Sequence, residues 1–475
     1  MDNFVQTIDP IVKAINKQLW GWPMMIILIG FGLLSTLYLG FPQFKKSKLG
    51  WDNSFGQIFK RDKSNKEGSM SSFQSLATAV AAQVGTGNIG GVAGAILTGG
   101  PGAIFWMWIT ALVGMGTIFV EALLAQKYRQ TRNGELVAGP AFYLSQGLKN
   151  HNLGGFGKFL AGAFSVLIIV ALGFIGNMTQ SNSIASVMTE AFNIPHLPIG
   201  IALAVASALV FIGGMSRIGK FAELVVPIMA FIYFIAAIVI IVTYSSHLVP
   251  TLKLIFEEAF KTEAVVGGVA GYSIRTAIRY GVARGLFSNE AGMGSTPNSH
   301  GVADVPHPVV QGSVAMIGVF IDTMVVCTAT ALIILVTESY KVEGIAGAQV
   351  TMQAFNTAIP GIGGKFLAIA LLFFAFTTVI GWYYFGEANI KYLFKSPIAV
   401  RIYQILVFGF IIIGTVLEIG FVWELADLFN GLMVIPNIIG LYILVKEAKK
   451  LTEDYDYQIK NGEALHYHYQ YESLH

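Results

Sequence analysis

Two short runs in this 475-residue chain combine helix-breaking glycines with polar side chains inside otherwise apolar sequence. The first is Gly85-Thr86-Gly87-Asn88, followed by Gly90, Gly91 and Gly94; the second is Ser288-Asn289-Glu290, preceded by Gly285 and followed by Gly292 and Gly294. Glycine inside a helix costs about 1 kcal/mol relative to alanine, so such clusters mark places where a helix opens. An opened helix presents N–H groups at one end, suited to a carboxylate, and carbonyls at the other, suited to a cation. Val84 and Gly85 free carbonyls of that kind without adding charge. A hard cation in apolar surroundings needs several oxygens to replace its hydration shell. Glycines also let helices pack closely, and Gly87 with Gly91 and Gly90 with Gly94 form GxxxG pairs. Packing does not require Ser288-Asn289-Glu290.

Other chemistries fare badly. Gly85–Gly90 matches GxGxxG, but a dinucleotide site needs a preceding strand and an acid about 20 positions on. An apolar helix precedes it here, and residues 105–115 hold no acid. The eight histidines are expected in loops or the tail, and neither GxSxG nor HExxH occurs. Asp322 and Asp427 are the only aspartates expected within spans, and neither has a glycine beside it. The single cysteine, Cys327, excludes a disulfide framework and a cysteine-rich zinc site. A net charge of +3 without a basic, aromatic-interleaved stripe argues against nucleic acid. The reading is not an enzyme, and no organic cofactor is expected.

The elements that position these runs are set by composition. The chain is 54% hydrophobic and 12% charged, against roughly 25% charged in an ordinary soluble domain. A hydrocarbon core of about 30 Å needs roughly 20 apolar helical residues. Eleven stretches qualify: 20–39, 73–97, 103–126, 159–188, 197–213, 221–244, 271–296, 309–336, 366–388, 398–416 and 421–445. The expected fold is an all-α integral membrane protein of eleven transmembrane helices. Of the 30 lysines and arginines, Lys13, Lys17, Lys253, Lys261, Lys341 and Lys365 fall on one side, and Arg275, Arg279 and Arg284 fall deeper within a span. The rest, including Lys45, Lys46, Lys48, Lys60, Arg61, Lys63 and Lys66 after the first span, fall on the other side. Basic loops stay inside, which places the N-terminus outside and the C-terminus in the cytoplasm of a multi-pass cell-membrane protein.

A shift of 201 residues brings the helices into register. Asn88 then meets Asn289, Gly91 meets Gly292, Glu121 meets Asp322, and Glu223 meets Glu424. Five helices per copy is an odd number, so the second copy enters the membrane inverted, a recurrent plan in secondary transporters. The expected organisation is an extracellular N-terminus (1–19), an accessory helix (20–39), a cytoplasmic loop (40–72) and a first repeat (73–245). An extracellular loop (246–270), a second, inverted repeat (271–446) and a cytoplasmic tail (447–475) complete it.

Around both runs the sequence resembles the alanine/glycine:cation symporter family. The resemblance rests on Ala82-Gln83-Val84-Gly85-Thr86-Gly87-Asn88-Ile89-Gly90-Gly91-Val92-Ala93 and on Gly285-Leu286-Phe287-Ser288-Asn289-Glu290-Ala291-Gly292-Met293-Gly294-Ser295, and it covers nearly the whole chain. It implies a sodium-driven carrier of small amino acids, alanine or glycine, with the five-plus-five inverted repeat of the leucine-type sodium symporters plus one N-terminal accessory helix. It further implies a substrate site between the two broken helices and the third and eighth helices of the repeats. Carried over by position, Thr86, Gly87 and Asn88 supply the first break, and Phe287, Ser288 and Asn289 the second. Phe174, Asn177 and Gln180 come from the third helix. From the eighth, Trp382 limits the size of the solute. Thr377 or Thr378, on the helix that the resemblance sets against the first break, completes a sodium shell with Val84 and Gly85; the other reading is that both hydroxyls bond back to carbonyls one turn earlier. Asn177 and Gln180 are i, i+3 on one helix face, and helix-to-helix hydrogen bonding is their other reading. The alternatives are sodium or proton coupling to another small solute, such as serine or glutamine. A channel is the remaining non-carrier reading, although channels tend to build pores from oligomeric rings.

Ionisable groups in spans face a cavity or each other. Arg275 and Arg279 could guide an anionic carboxylate inward or pair with Asp322, and pairing is the expectation. The matched pairs Glu121/Asp322 and Glu223/Glu424 read as structural, and Glu290, beside the second run, as a functional acid that holds the hinge.

Overall fold

The computed structural model describes residues 2–56, 69–132, 135–212, 214–261, 265–266, 269–270 and 273–469. Lys60, Arg61, Lys63 and Lys66 of the basic loop, and Gly271 at the expected start of the seventh span, lie outside the described residues. The architecture is helical, with two small antiparallel hairpins at residues 130–137 and 265–270.

In chain order the principal helices are α1 (Asp2–Leu19), α2 (Trp22–Tyr38), α3 (Ser72–Gln83), α4 (Val92–Gly99), α5 (Ala103–Lys127) and α6 (Gly154–Phe192). They continue with α7 (His196–Phe211), α8 (Gly214–Thr243), α9 (Ile274–Asn289), α10 (Pro308–Val336), α11 (Gly363–Leu393), α12 (Pro397–Val416) and α13 (Ile419–Lys460). Among the described residues seven helices are individually long and apolar enough to cross a bilayer, or up to nine if each of two bent pairs is one span. Those pairs are α1 with α2, bent by 45°, and α3 with the segment Gly87–Gly99, bent by 50°. The other two expected spans are the short ones. α7 and α9 have 16 residues each, and α9 carries three arginines. Large apolar side chains on α8 (Leu224, Phe231, Val242) and α12 (Ile402, Ile405) are exposed, as a lipid-facing surface requires.

The two half-helices begin alike. Ser71 caps α3 by accepting from the Gln74 amide while Gln74 accepts from the Ser71 amide, and Ser273 with Thr276 repeats the device on α9. They end differently. After Gln83 the chain is non-helical only across Val84 and Gly85, then resumes at Thr86 and through a π-helical turn, Gly87–Gly91, into α4. α9 stays helical through Asn289, so Phe287, Ser288 and Asn289 form its last turn rather than opened backbone. The second opening is Glu290–Thr296. There Glu290 (φ 59°), Gly292 (φ 89°) and Gly294 (φ 79°) are left-handed before the short helix Pro297–His300. Two further π-helical turns interrupt α6 at Ile169–Gly176 and α10 at Phe320–Cys327. Such turns are frequent at functional sites. α5, α6, α10 and α11 pack around the two openings.

Candidate functional site

At the first opening, the carbonyls of Ala81 and Val84 lose their helical partners as α3 ends, and the Thr378 hydroxyl of α11 fills the gap. Its oxygen lies 2.9 Å from the Ala81 carbonyl, 3.3 Å from that of Val84 and 3.0 Å from that of Phe374 one turn back on α11. One proton serves one carbonyl at a time, so three acceptors converge on one hydroxyl. Gly85 makes the approach possible, since a Cβ there would stand 2.3 Å from the Thr378 oxygen. Thr377 points elsewhere. Its hydroxyl donates to the Phe374 carbonyl at 2.8 Å and faces the Met229 sulfur of α8. Adjacent residues on a helix point about 100° apart, and Thr378 occupies the face toward the opening.

Asn88 staples the opening. Its Oδ1 accepts the Gly85 amide at 2.9 Å, and its Nδ2 donates to the Asp322 carboxylate at 2.6 Å. Asp322 sits in the π-helical turn of α10, where it also accepts from Ser288 at 3.0 Å and from Thr323 at 2.7 Å. Asn289 reaches Thr323 from α9 at 3.3 Å. The first opening and the last turn of α9 are thus tied to one carboxylate on α10. The expected pairing of Asp322 with Arg275 and Arg279 is not what forms. Those arginines line a separate cavity with Lys17, while Asp322 lies with the openings, satisfied by neutral donors.

Gln83 is a functional candidate that the sequence reading passed over. Its Nε2 donates to the Asn289 carbonyl at 2.7 Å, joining the end of α3 to the end of α9. The only signal was an amide within the apolar run Ala77–Val84.

α6 closes the site from the side. Gln180 accepts the Thr86 amide at 3.2 Å. The buried Gln180 Nε2, Thr86 hydroxyl and Asn177 Oδ1 have no hydrogen-bond partner among the described residues. Leaving such a group unmade costs about 1–3 kcal/mol, so three near one break is a concentration that a polar ligand would relieve. Phe174 does not join them; its ring stacks on Phe410 at 4.7 Å and meets Tyr403 at 5.7 Å, toward α12. The π-helical turn that ends at Gly176 rotates the helix phase between Phe174 and Asn177.

Trp382 of α11 is buried with its indole N–H on the Glu290 carboxylate at 2.6 Å. Its ring covers Gly176, where a Cβ would come within 2.5 Å of it. Phe287 meets it edge-on at 6.1 Å, and Gly87 packs against Phe287. Glu290 also accepts from Ser295 across the second opening. Glu121, at the repeat position matching Asp322, accepts the amides of Gly292 at 2.9 Å and Gly294 at 3.0 Å, and the side chain of Asn437 at 2.7 Å. Glu223 and Glu424 accept from Gln74 and Asn16. Arg284 forms a two-pronged ion pair with Asp427 at 2.7 and 2.8 Å. Of the histidines expected in loops, His300 is fully buried in Pro297–His300, where Gln311 reaches it at 2.8 Å. Among the described residues no group of three or more His, Cys, Asp or Glu is placed to hold a metal ion.

The arrangement has neutral oxygens for a small cation at the end of α3 and unpaired polar groups beside it. Comparison with known proteins agrees with a transporter. A 41% identical protein of Methanococcus maripaludis, covering 95% of this chain and 99% of its own length, is named a sodium/alanine symporter. An amino-acid carrier protein of Bacillus subtilis is 40% identical over 96% of this chain and 93% of its own length. A third, also from Bacillus subtilis and named a probable sodium/glutamine symporter, is 38% identical over 96% of this chain and 92% of its own. The model of the sodium:alanine symporter family matches residues 5–469. With that match across nearly its whole length, the chain belongs to the sodium:alanine symporter family.

Proposed function

We propose that the chain couples inward movement of sodium to uptake of a small neutral amino acid, alanine or glycine, across the cell membrane. One observation carries this reading: the Thr378 hydroxyl meets the released carbonyls of Ala81 and Val84 at the first opening. These are uncharged oxygens of the kind a hard monovalent cation needs in place of water. Thr86, Gly87, Asn88, Asn177, Gln180, Phe287, Ser288, Asn289 and Trp382 form the proposed substrate site; Val84, Gly85 and Thr378 form the sodium site. Phe174 and Thr377 are left out because of where their side chains point.

The reading includes eleven crossings, with α7 and α9 as short ones, in the inverted-repeat fold of the leucine-type sodium symporters. The N-terminus is outside and the C-terminus cytoplasmic. Alternating access then arises from rocking of one bundle against the other around the central site. Glutamine is the second reading for the solute, supported by the name of one relative. The Trp382 ring over Gly176 favours the smaller one.

The test is uptake of radiolabelled alanine, glycine and glutamine into proteoliposomes, with sodium, lithium or potassium outside. Saturable alanine uptake that requires sodium supports the proposal. Uptake indifferent to the cation, or flux that does not saturate, rejects it.

A further inference from the structure

Arg275 and Arg279, freed from the pairing expected of them, converge with Lys17 on a cavity of about 330 Å³ at the elbow between α1 and α2. Gln18, Trp22 and Met25 complete the part of the wall that matters here, and among the described residues no acidic side chain lines it. Three cations in one cavity repel each other, and among the described residues none of the three has an ion-pair partner. Asp427 is paired with the Arg284 guanidinium, and the Glu424 carboxylate accepts from the Asn16 amide at 2.7 Å.

The location adds what the charge alone does not. Trp22 is the first residue of the apolar α2 and is 43% exposed, and Ile26 (64%), Leu33 and Leu37 continue an exposed apolar face down that helix. Aromatic residues of this kind mark the headgroup level, and a phosphate makes strong charge-assisted hydrogen bonds with guanidinium and ammonium groups. A cavity with three positive charges at that level, opening onto an apolar face, fits a phosphate with acyl chains attached.

We propose that Lys17, Arg275 and Arg279 form a binding site for the phosphate of an anionic phospholipid, whose chains lie along α2. A zwitterionic lipid brings its own ammonium into a cavity already carrying three, so the site selects net-negative headgroups. The bound lipid ties the α1–α2 elbow to α9, the half-helix that leads into the second opening. This site is independent of which solute the protein carries.

The test uses the full-length protein in detergent micelles doped with phosphatidylglycerol or phosphatidylcholine, with retained lipid counted by native mass spectrometry. Wild-type protein is expected to keep one phosphatidylglycerol under activation that strips phosphatidylcholine, and 10 mM inorganic phosphate is expected not to displace it. Arg275→Gln with Arg279→Gln should cut retention at least tenfold. Lys17→Gln, in the peripheral elbow helix, should cut it severalfold and serves if the double variant does not fold. Equal retention by the variants, equal retention of phosphatidylcholine, or displacement by inorganic phosphate overturns the proposal; the last outcome assigns the cavity to a soluble anion.

Discussion

The side-chain amide of Asn88, within the first opening, donates to the carboxylate of Asp322 on α10 at 2.6 Å. Asp322 on α10 thus reaches back to the first opening. Glu121 on α5 does the converse, taking the amides of Gly292 and Gly294 beyond α9. Each opening is therefore held by a carboxylate from a helix far from it in sequence. A lone buried carboxylate in a membrane is costly, and neutral donors on every side are what make these two tolerable.

Asp322→Ala leaves the donors of Asn88, Ser288 and Thr323 without their acceptor. Each unmet buried donor costs about 1–3 kcal/mol. Uptake at equal protein should fall more than tenfold and the melting temperature should drop, whereas Glu223→Gln, which keeps an acceptor for Gln74, should change both little. Near-normal uptake by Asp322→Ala would mean that the network is incidental.

Thr378→Val keeps the shape of the side chain and deletes the oxygen beside Ala81 and Val84. The half-saturating sodium concentration should rise severalfold, with maximal uptake partly recovered at high sodium. Thr377→Val should leave the sodium curve in place, because its hydroxyl faces Met229. Equal shifts in the two variants would remove the ion from this position.

Trp382→Ala should weaken alanine uptake and let bulkier amino acids compete. Pocket changes of this sort shift discrimination by about 1–3 kcal/mol per methylene. Gly176→Ala pushes a methyl into the Trp382 ring and should lower alanine uptake without admitting larger solutes. An unchanged competition profile in well-folded Trp382→Ala would place the indole in ordinary packing.

Topology is checked on a Cys327→Ala background with an impermeant thiol reagent and intact cells. A cysteine at Ser64, outside the described residues, should be shielded, and one at Glu343 should react. The opposite pattern reverses the orientation of the chain.

The glycine runs and their polar neighbours were legible because residue type alone marks a weak point in a helix. Direction was not. Thr377 and Thr378 are adjacent, and only the packing of α11 on α3 decides which one meets the Ala81 carbonyl. Phe174, expected at the site from the resemblance, faces α12, and the π-helical turn Ile169–Gly176 shifts the helix phase between it and Asn177. The neighbours of the arginines lie far off in sequence, Asp427 paired with Arg284 and the like-charged Lys17 sharing a cavity with Arg275 and Arg279, where no periodicity connects them. The second opening falls after Asn289 rather than around it. Left-handed Glu290, a non-glycine residue, gives the sequence no warning of where α9 stops.

Cys327, the chain's single cysteine, is buried with its sulfur 3.2 Å from the Ser288 hydroxyl and 3.3 Å from the Asn88 amide. Nature has thus left a chemical clock at the seam between the two halves. A small permeant alkylating agent reaches that thiol only when the packing around it opens. Under the proposed transport cycle, the labelling rate should therefore change when sodium and amino acid are added, with no engineered cysteine needed.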